Sequence, residues 1–126
     1  MFDINCHVVD QATGLLISKV AKRVLLDTGA DINLISHTAF HDLGREMVQA
    51  PRSIESLAGQ TALSGEAAIT FTFLTGATTA SRCQRTFTED FSVVSKSERP
   101  LFDIILGGKW FFAHWNLVSS LIKDAQ

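Results

Sequence analysis

Long apolar runs, basic blocks and paired cysteines are all missing from this sequence, and each absence removes a class of protein. No apolar stretch approaches the ~20 residues that a membrane-spanning helix requires, so no membrane partner is expected. Eleven lysines and arginines stand against thirteen aspartates and glutamates, for a net charge of −2. The cations form no block, which disfavours nucleic acid as a partner. Cys6 and Cys83 lack CxxC spacing; a zinc site or redox pair needs more ligands or a closer pair. Both read as small apolar side chains. The first residues, Met1-Phe2-Asp3-Ile4-Asn5-Cys6, lack the charged and apolar regions of a signal peptide. A soluble, cytoplasmic domain is the expectation.

Charge is scarce as well. Only 19% of the 126 residues are charged while 46% are hydrophobic, so the chain can bury a core and does not have the composition of a disordered one. No stretch has linker composition, and one domain over residues 1–126 is expected.

The most informative stretch is Val24-Leu25-Leu26-Asp27-Thr28-Gly29-Ala30-Asp31. Its apolar lead-in fits a buried strand, and Gly29 offers a sharp turn at the strand's end. Asp27 thus falls where a core strand breaks into a loop, a place where functional groups are held rigidly. A carboxylate there is costly unless hydrogen-bonded, paired or partly neutral.

The rest of the chain is strand-rich. Phe2, Ile4, Cys6 and Val8 alternate with other residues and predict a strand with one buried face. Asp10 to Gly14 has turn chemistry, with positive φ available at Gly14. Leu15 to Leu26 then reads as a long return strand with Lys19, Lys22 and Arg23 on its exposed part. Ile32 to Ile35 is again β-prone; Ser36 caps a short helix from about His37 to Leu43, and Gly44 suits its stop. His37 and His41 lie four apart on that helix without an evident third ligand, so no metal and no cofactor are expected. Two β-like arms flank Ala58-Gly59-Gln60 and predict a hairpin with a small tip, of the kind that serves as a lid. Gly65 allows a later bend. Glu66 to Leu74 alternates, with Ala67, Ile69, Phe71 and Phe73 on one face; Thr75 to Ser81 is a small-residue loop; Gln84 to Val94 returns as a strand. Leu101 to Gly108 is a second buried strand ending in glycine, followed by a short helix to about His114. It repeats the plan of the Asp27 region with no acid at the turn. Trp115 to Ile122 closes as a strand or a helix, and its apolar residues hint at a partner surface.

Leu25-Leu26-Asp27-Thr28-Gly29-Ala30-Asp31, a glycine-bearing hairpin and Asp103-Ile104-Ile105-Leu106-Gly107 together resemble the retropepsin-like aspartic proteases of retroviruses and retrotransposons. The Asn33-Leu34-Ile35-Ser36 continuation and the aspartate before Ile-Ile-Leu-Gly are more similar to gypsy-type retrotransposon members. The resemblance spans roughly Phe2 to Phe112. It implies a mainly β, closed barrel-like domain with a flap hairpin and one or two short helices, and a two-fold homodimer with the active site between subunits. Asp27 would be the catalytic carboxylate, and Thr28 and Gly29 would support it. Substrate contacts would fall on Gly29, Ala30, Asp31, Ile105 and the hairpin tip, Ala58, Gly59 and Gln60. Retroviral members usually place an arginine after the late glycine to brace the dimer; here Gly108 stands there.

The count of acids matters. Peptide hydrolysis by this chemistry needs two carboxyl groups holding one water, one ionised and one protonated. The chain has a single Asp-Thr-Gly, so a lone protomer has half of that pair. The expectation is a homodimeric aspartic endopeptidase acting on peptide or polyprotein substrates, as in processing by a retroelement. The alternative is a retropepsin-like dimerisation or peptide-binding module with weak catalysis. Asp31 and Asp103 read equally as turn or salt-bridge acids.

Overall fold

The computed structural model describes residues 4–13, 15–17, 22–27, 29–56, 59–73, 86–98, 100 and 102–124. Gly14, Lys19, Thr28, Leu57, Ala58, the 75–81 loop and Cys83 lie outside these, so the expectations placed on them do too. No helix among the described residues is long and apolar enough to cross a membrane.

Among the described residues seven strands make one mixed sheet: β1 (Ile4–Val9), β2 (Lys22–Asp27), β3 (Leu34–Ile35), β4 (Val48–Ser56), β5 (Gly59–Phe73), β6 (Thr86–Val94) and β7 (Ile104–Gly107). Their order is β1-β2-β7-β3-β6-β5-β4, and β1 pairs with β5 as well. The hydrogen-bonded path therefore returns on itself through six strands and leaves β4 outside. As the outermost strand in that order, β4 tolerates Pro51, whose missing N–H coincides with a register shift between Gln49 and Arg52.

The strand patterns follow the apolar periodicity, with two instructive departures. In β1, Ile4, Cys6 and Val8 are buried as their alternation requires, but Val9 is buried too. In β5, Ile69 to Phe73 are all buried, Thr70 and Thr72 included. The β1–β5 pairing explains both, since Val8 and Val9 oppose Phe71 and Thr70 in a part of the sheet covered on both faces. Thr70 and Thr88 satisfy their hydroxyls with each other at 2.8 Å.

Among the described residues there are three helices where one or two were expected. Helix α1 (His37–His41) starts where Ser36 Oγ accepts the Ala39 N–H at 3.1 Å, and Gly44 ends that segment at φ 64°. Helix α2 (Gly108–Ala113) follows β7 directly, and α3 (Trp115–Asp124) settles the C-terminal segment as helix. Only Val118 of α3's described side chains is fully buried; Trp115 and, on α2, Phe112 remain exposed.

The main core collects Cys6, Val8, Ile35, Ile69, Phe91, Val93, Leu106 and Val118 around Phe71. The rings of Phe73, Phe87, Phe91 and Trp110 surround Phe71, with centroids 5.7–6.1 Å away. Each such buried side chain stabilises by about 1.5–3 kcal/mol relative to exposure. A smaller cluster of Leu34, Leu63, Val94 and Ile105 lies on the other side of β3 and β7.

Of the expected return strand, Leu16 makes an isolated bridge to Val9 and β2 runs over Lys22–Asp27, while residues 18–21 lie outside the described ones. Lys22, expected exposed, is buried instead, and its ammonium donates to Asp42 Oδ2 at 3.2 Å. Alternation puts Lys22 on the same buried face as Val24, and the carboxylate at the end of α1, twenty residues away, supplies the counter-charge a buried lysine needs.

Cys6 is fully buried next to β2. Burial first, then the Asp103 carboxylate, pushes its thiol up to about 12, with Lys22 pulling the other way. A free thiol ionises near ~8.5. The folded preference for the neutral form is therefore fully stabilising below that pH and is lost as pH rises toward about 12. In a Cys83→Ser background, iodoacetamide at pH 8 is expected to leave Cys6 unmodified until denaturant unfolds the chain. Rapid labelling of the folded protein, read by mass spectrometry, would contradict this burial.

Gly65 sits where β5 shifts register against β6 between Leu63 and Gly65. A Cβ there would collide with the Val48 carbonyl oxygen and reach Met47 Sδ at 3.0 Å. Gly65→Ala is expected to destabilise the fold by about 1–3 kcal/mol, measured by urea denaturation.

Candidate active site

Asp27 is the last residue of β2 and is half-buried. The strand before it runs parallel to β7, with Val24, Leu25, Leu26 and Asp27 opposite Ile104, Ile105, Leu106 and Gly107. β7 is flanked on its other side by β3, antiparallel, with Leu34 opposite Ile105. The acid is therefore carried by an inner strand and cannot drift without moving the sheet.

Beyond Asp27 the chain folds into a tight turn. Asp27 Oδ1 accepts the Gly29 N–H at 3.0 Å, and the Asp27 carbonyl accepts the Ala30 N–H at 3.1 Å. Gly29 makes this turn without a positive φ, and a Cβ added there would meet Asp27 Oδ1 at an ordinary 3.4 Å. What it contributes to the turn is a backbone donor that holds the carboxylate in place.

The glycine that crowding does require is Gly107. A Cβ there would lie 2.8 Å from the Ala30 carbonyl oxygen and 2.9 Å from that of Ile32. The Asp27 turn packs directly onto the end of β7 and is tied there twice. Gly107 N–H donates to Asn33 Oδ1 at 2.9 Å, and Gly108 N–H donates to the Ala30 carbonyl at 2.9 Å. Asp103 does the same work at the start of β7: its Oδ2 accepts the Arg23 N–H and its carbonyl accepts the Ser36 N–H, both at 2.8 Å. Asp103 is thus a structural clamp between strands.

Above the turn lies a cleft of about 820 Å³. Asp27, Gly29, Ala30, Asp31 and Ile105 line it together. Its apolar wall adds Ile32, Leu34, Val94 and Phe102, and the arms of the β4–β5 hairpin contribute Arg52, Ile54, Glu55 and Thr61. Gly59, at φ 104°, and Gln60 stand exposed at the hairpin's end and do not line this cleft. Thr28 and Ala58 lie outside the described residues. His37 and His41 stack 6.1 Å apart on α1, away from the cleft, and the described residues hold no group of three metal-ligating side chains.

Sequence reasoning missed Asn33 as a clamp and the hairpin arms as a wall. The signal for Asn33 was a lone amide between Ile32 and Leu34, a costly choice in an apolar run unless its carbonyl finds a donor. The arms left a weaker trace, since Thr61 comes to stand beside Ile54 only once the β4–β5 register is known.

No protein-family model matches the chain, and no curated protein matches it. Among solved structures, it is similar to the crystal structure of the retroviral protease-like domain of Ddi1 from Leishmania major. The TM-score is 0.60 at 17% identity, over 91% of this chain and 78% of that one. The crystal structure of Lpg0085 from Legionella pneumophila, a protein of unknown function, gives a TM-score of 0.47 at 11% identity, over 88% of this chain and 84% of that one. At 17% identity the first likeness carries the fold and nothing further: the chain has a mainly β, retropepsin-like fold.

Proposed function

We propose that this chain is an aspartic endopeptidase that works as a homodimer, with Asp27 of each copy supplying one carboxyl group. The observation that carries the reading is Asp27 itself. It ends an inner strand at the floor of a cleft of about 820 Å³, with its Oδ1 held by the Gly29 N–H. A half-buried acid fixed in this way has no evident structural duty, unlike Asp103. Among the described residues no lysine or arginine forms an ion pair with it.

The chemistry follows from the pair. Two carboxyl groups about 3 Å apart do not both ionise, so they share one proton. The ionised one draws a proton from a water held between them as its oxygen attacks the peptide carbonyl carbon. The protonated one gives its proton to the carbonyl oxygen, and collapse of the tetrahedral species expels the amine. The Gly29 N–H orients the carboxylate for this role. The apolar wall of Ile32, Leu34, Val94 and Ile105 offers space for apolar side chains of an extended peptide. The hairpin arms, closing on such a peptide, would exclude water from the reacting bond. A polyprotein, as for retroelement proteases, is the substrate class that the resemblance favours.

Asp27→Asn is nearly isosteric and removes the ionisable group. It is expected to abolish cleavage of an apolar peptide library, by at least about a hundredfold, while circular dichroism shows an intact fold. Loss of folding in that variant would make Asp27 a structural acid and overturn the reading.

Activity that needs a singly protonated pair is bell-shaped in pH, with its optimum on the acid side of neutrality. Weak association would lower the rate per chain on dilution, so rate and solution mass should fall together as protein is diluted. A rate that climbs through pH 9 at saturating protein, or an active monomer, would sink the shared-proton dimer.

A further inference from the structure

A second cleft, of about 470 Å³, adjoins the first and shares Asp31, Ile32 and Arg52 with it. Those three residues form a common rim, so a chain lying in the first cleft reaches the second by crossing it. The second cleft is lined further by Glu66, Glu89 and Asp90, and by Lys109 and His114.

The charges are not evenly used. Arg52 is held in place, donating to Ser92 Oγ at 3.2 Å with Glu66 Oε1 at 3.6 Å. That leaves Asp31, Glu89 and Asp90 on the same cleft with no ion pair to any described cation. In the first cleft, Glu55 and Glu98 join Asp27 and Asp31. Seven carboxylates and two lysine or arginine side chains thus line the two clefts among the described residues. Clefts lined by one sign of charge between apolar walls focus that field on whatever enters them.

We infer that the second cleft receives a lysine or arginine side chain of the peptide held in the first, so that the substrates are extended peptides with a cation flanking the cleaved bond. This rests on the proposed peptidase reading and adds the substrate class to it. An extended peptide advances about 3.3 Å per residue, so the cation belongs on a residue some positions from the cleaved bond. The half-buried Glu89 offers the least hydrated of the three carboxylates to it. Acidic peptides meet the opposite field and bind poorly.

The test uses the full chain and matched peptides that share one apolar core, with Lys, Ala or Glu at each flanking position. At one position kcat/KM for Lys is expected to exceed that for Glu by about tenfold or more at low salt, and the gap should narrow as salt screens the charges. In the Glu89→Gln, Asp90→Asn double variant the Lys-to-Glu ratio should fall severalfold. Glu89→Gln alone serves if circular dichroism shows the double variant misfolded. A wild-type ratio near one at every position, or an unchanged ratio in the variant, overturns the inference and leaves the peptidase reading standing. If no peptide is cleaved, the peptidase reading fails, and calorimetric titration of the same peptides into the wild-type protein decides the inference. Tighter binding of the Lys peptides supports it, and equal binding overturns it.

Discussion

The contact between the Asp27 turn and the end of β7 governs the rest of this structure. Two backbone N–H groups, of Gly107 and Gly108, leave the sheet and are taken up by Asn33 Oδ1 and the Ala30 carbonyl. An unmade bond at such a buried place costs about 1–3 kcal/mol, so the loop carrying Asp27 is held in one position. Everything above it depends on this. The cleft floor is the loop, and Ile105 and Leu34 reach the cleft because β3 and β7 are locked beside each other by the same contacts.

The core explains why so short a junction suffices. Phe71 and its surrounding rings fix β5, β6 and α2 as one body, and α2 begins at Gly108, directly behind the junction. β1 then links β2 to β5, so the strand bearing Asp27 is anchored from both sides. The hairpin's last residues belong to β4 and β5 alone, and β4 is the one strand outside the returning path of the sheet.

How much of this was readable from the residues depended on how local the cause was. The alternation in β1, the Ser36 cap, the Gly44 stop and the strand–glycine–helix plan at Gly107 are local, and the structure follows them. The resemblance located Asp27 and Ile105 on what is one cleft. Lys22 was misread because the partner that lets a lysine sit on the buried face beside Val24, Asp42, is twenty residues away. The crowding that demands glycine at 107 was not readable, since the crowding atoms lie in the facing loop and no sequence window contains both. The burial of Thr70 and Thr72 was not readable, because the β1–β5 pairing that covers them joins segments about sixty residues apart.

The parallel register of β2 and β7 also decides where a second carboxyl group can come from. Asp27 lies opposite Gly107, so the two halves of the chain present an acid and a glycine at matching positions. A side chain at 107 has no room, because the Ala30 and Ile32 carbonyls already stand 2.8 and 2.9 Å from where its Cβ would be. The crowding comes from the very loop that holds Asp27. Fixing the first acid therefore excludes a second one from the matching position of the same chain. Of the other acids near the turn, Asp103 is spent on the Arg23 N–H at the far end of β7, and Asp31 is exposed at the cleft rim. At this turn, then, neither position 107 nor Asp31 nor Asp103 sets a second carboxyl group beside that of Asp27.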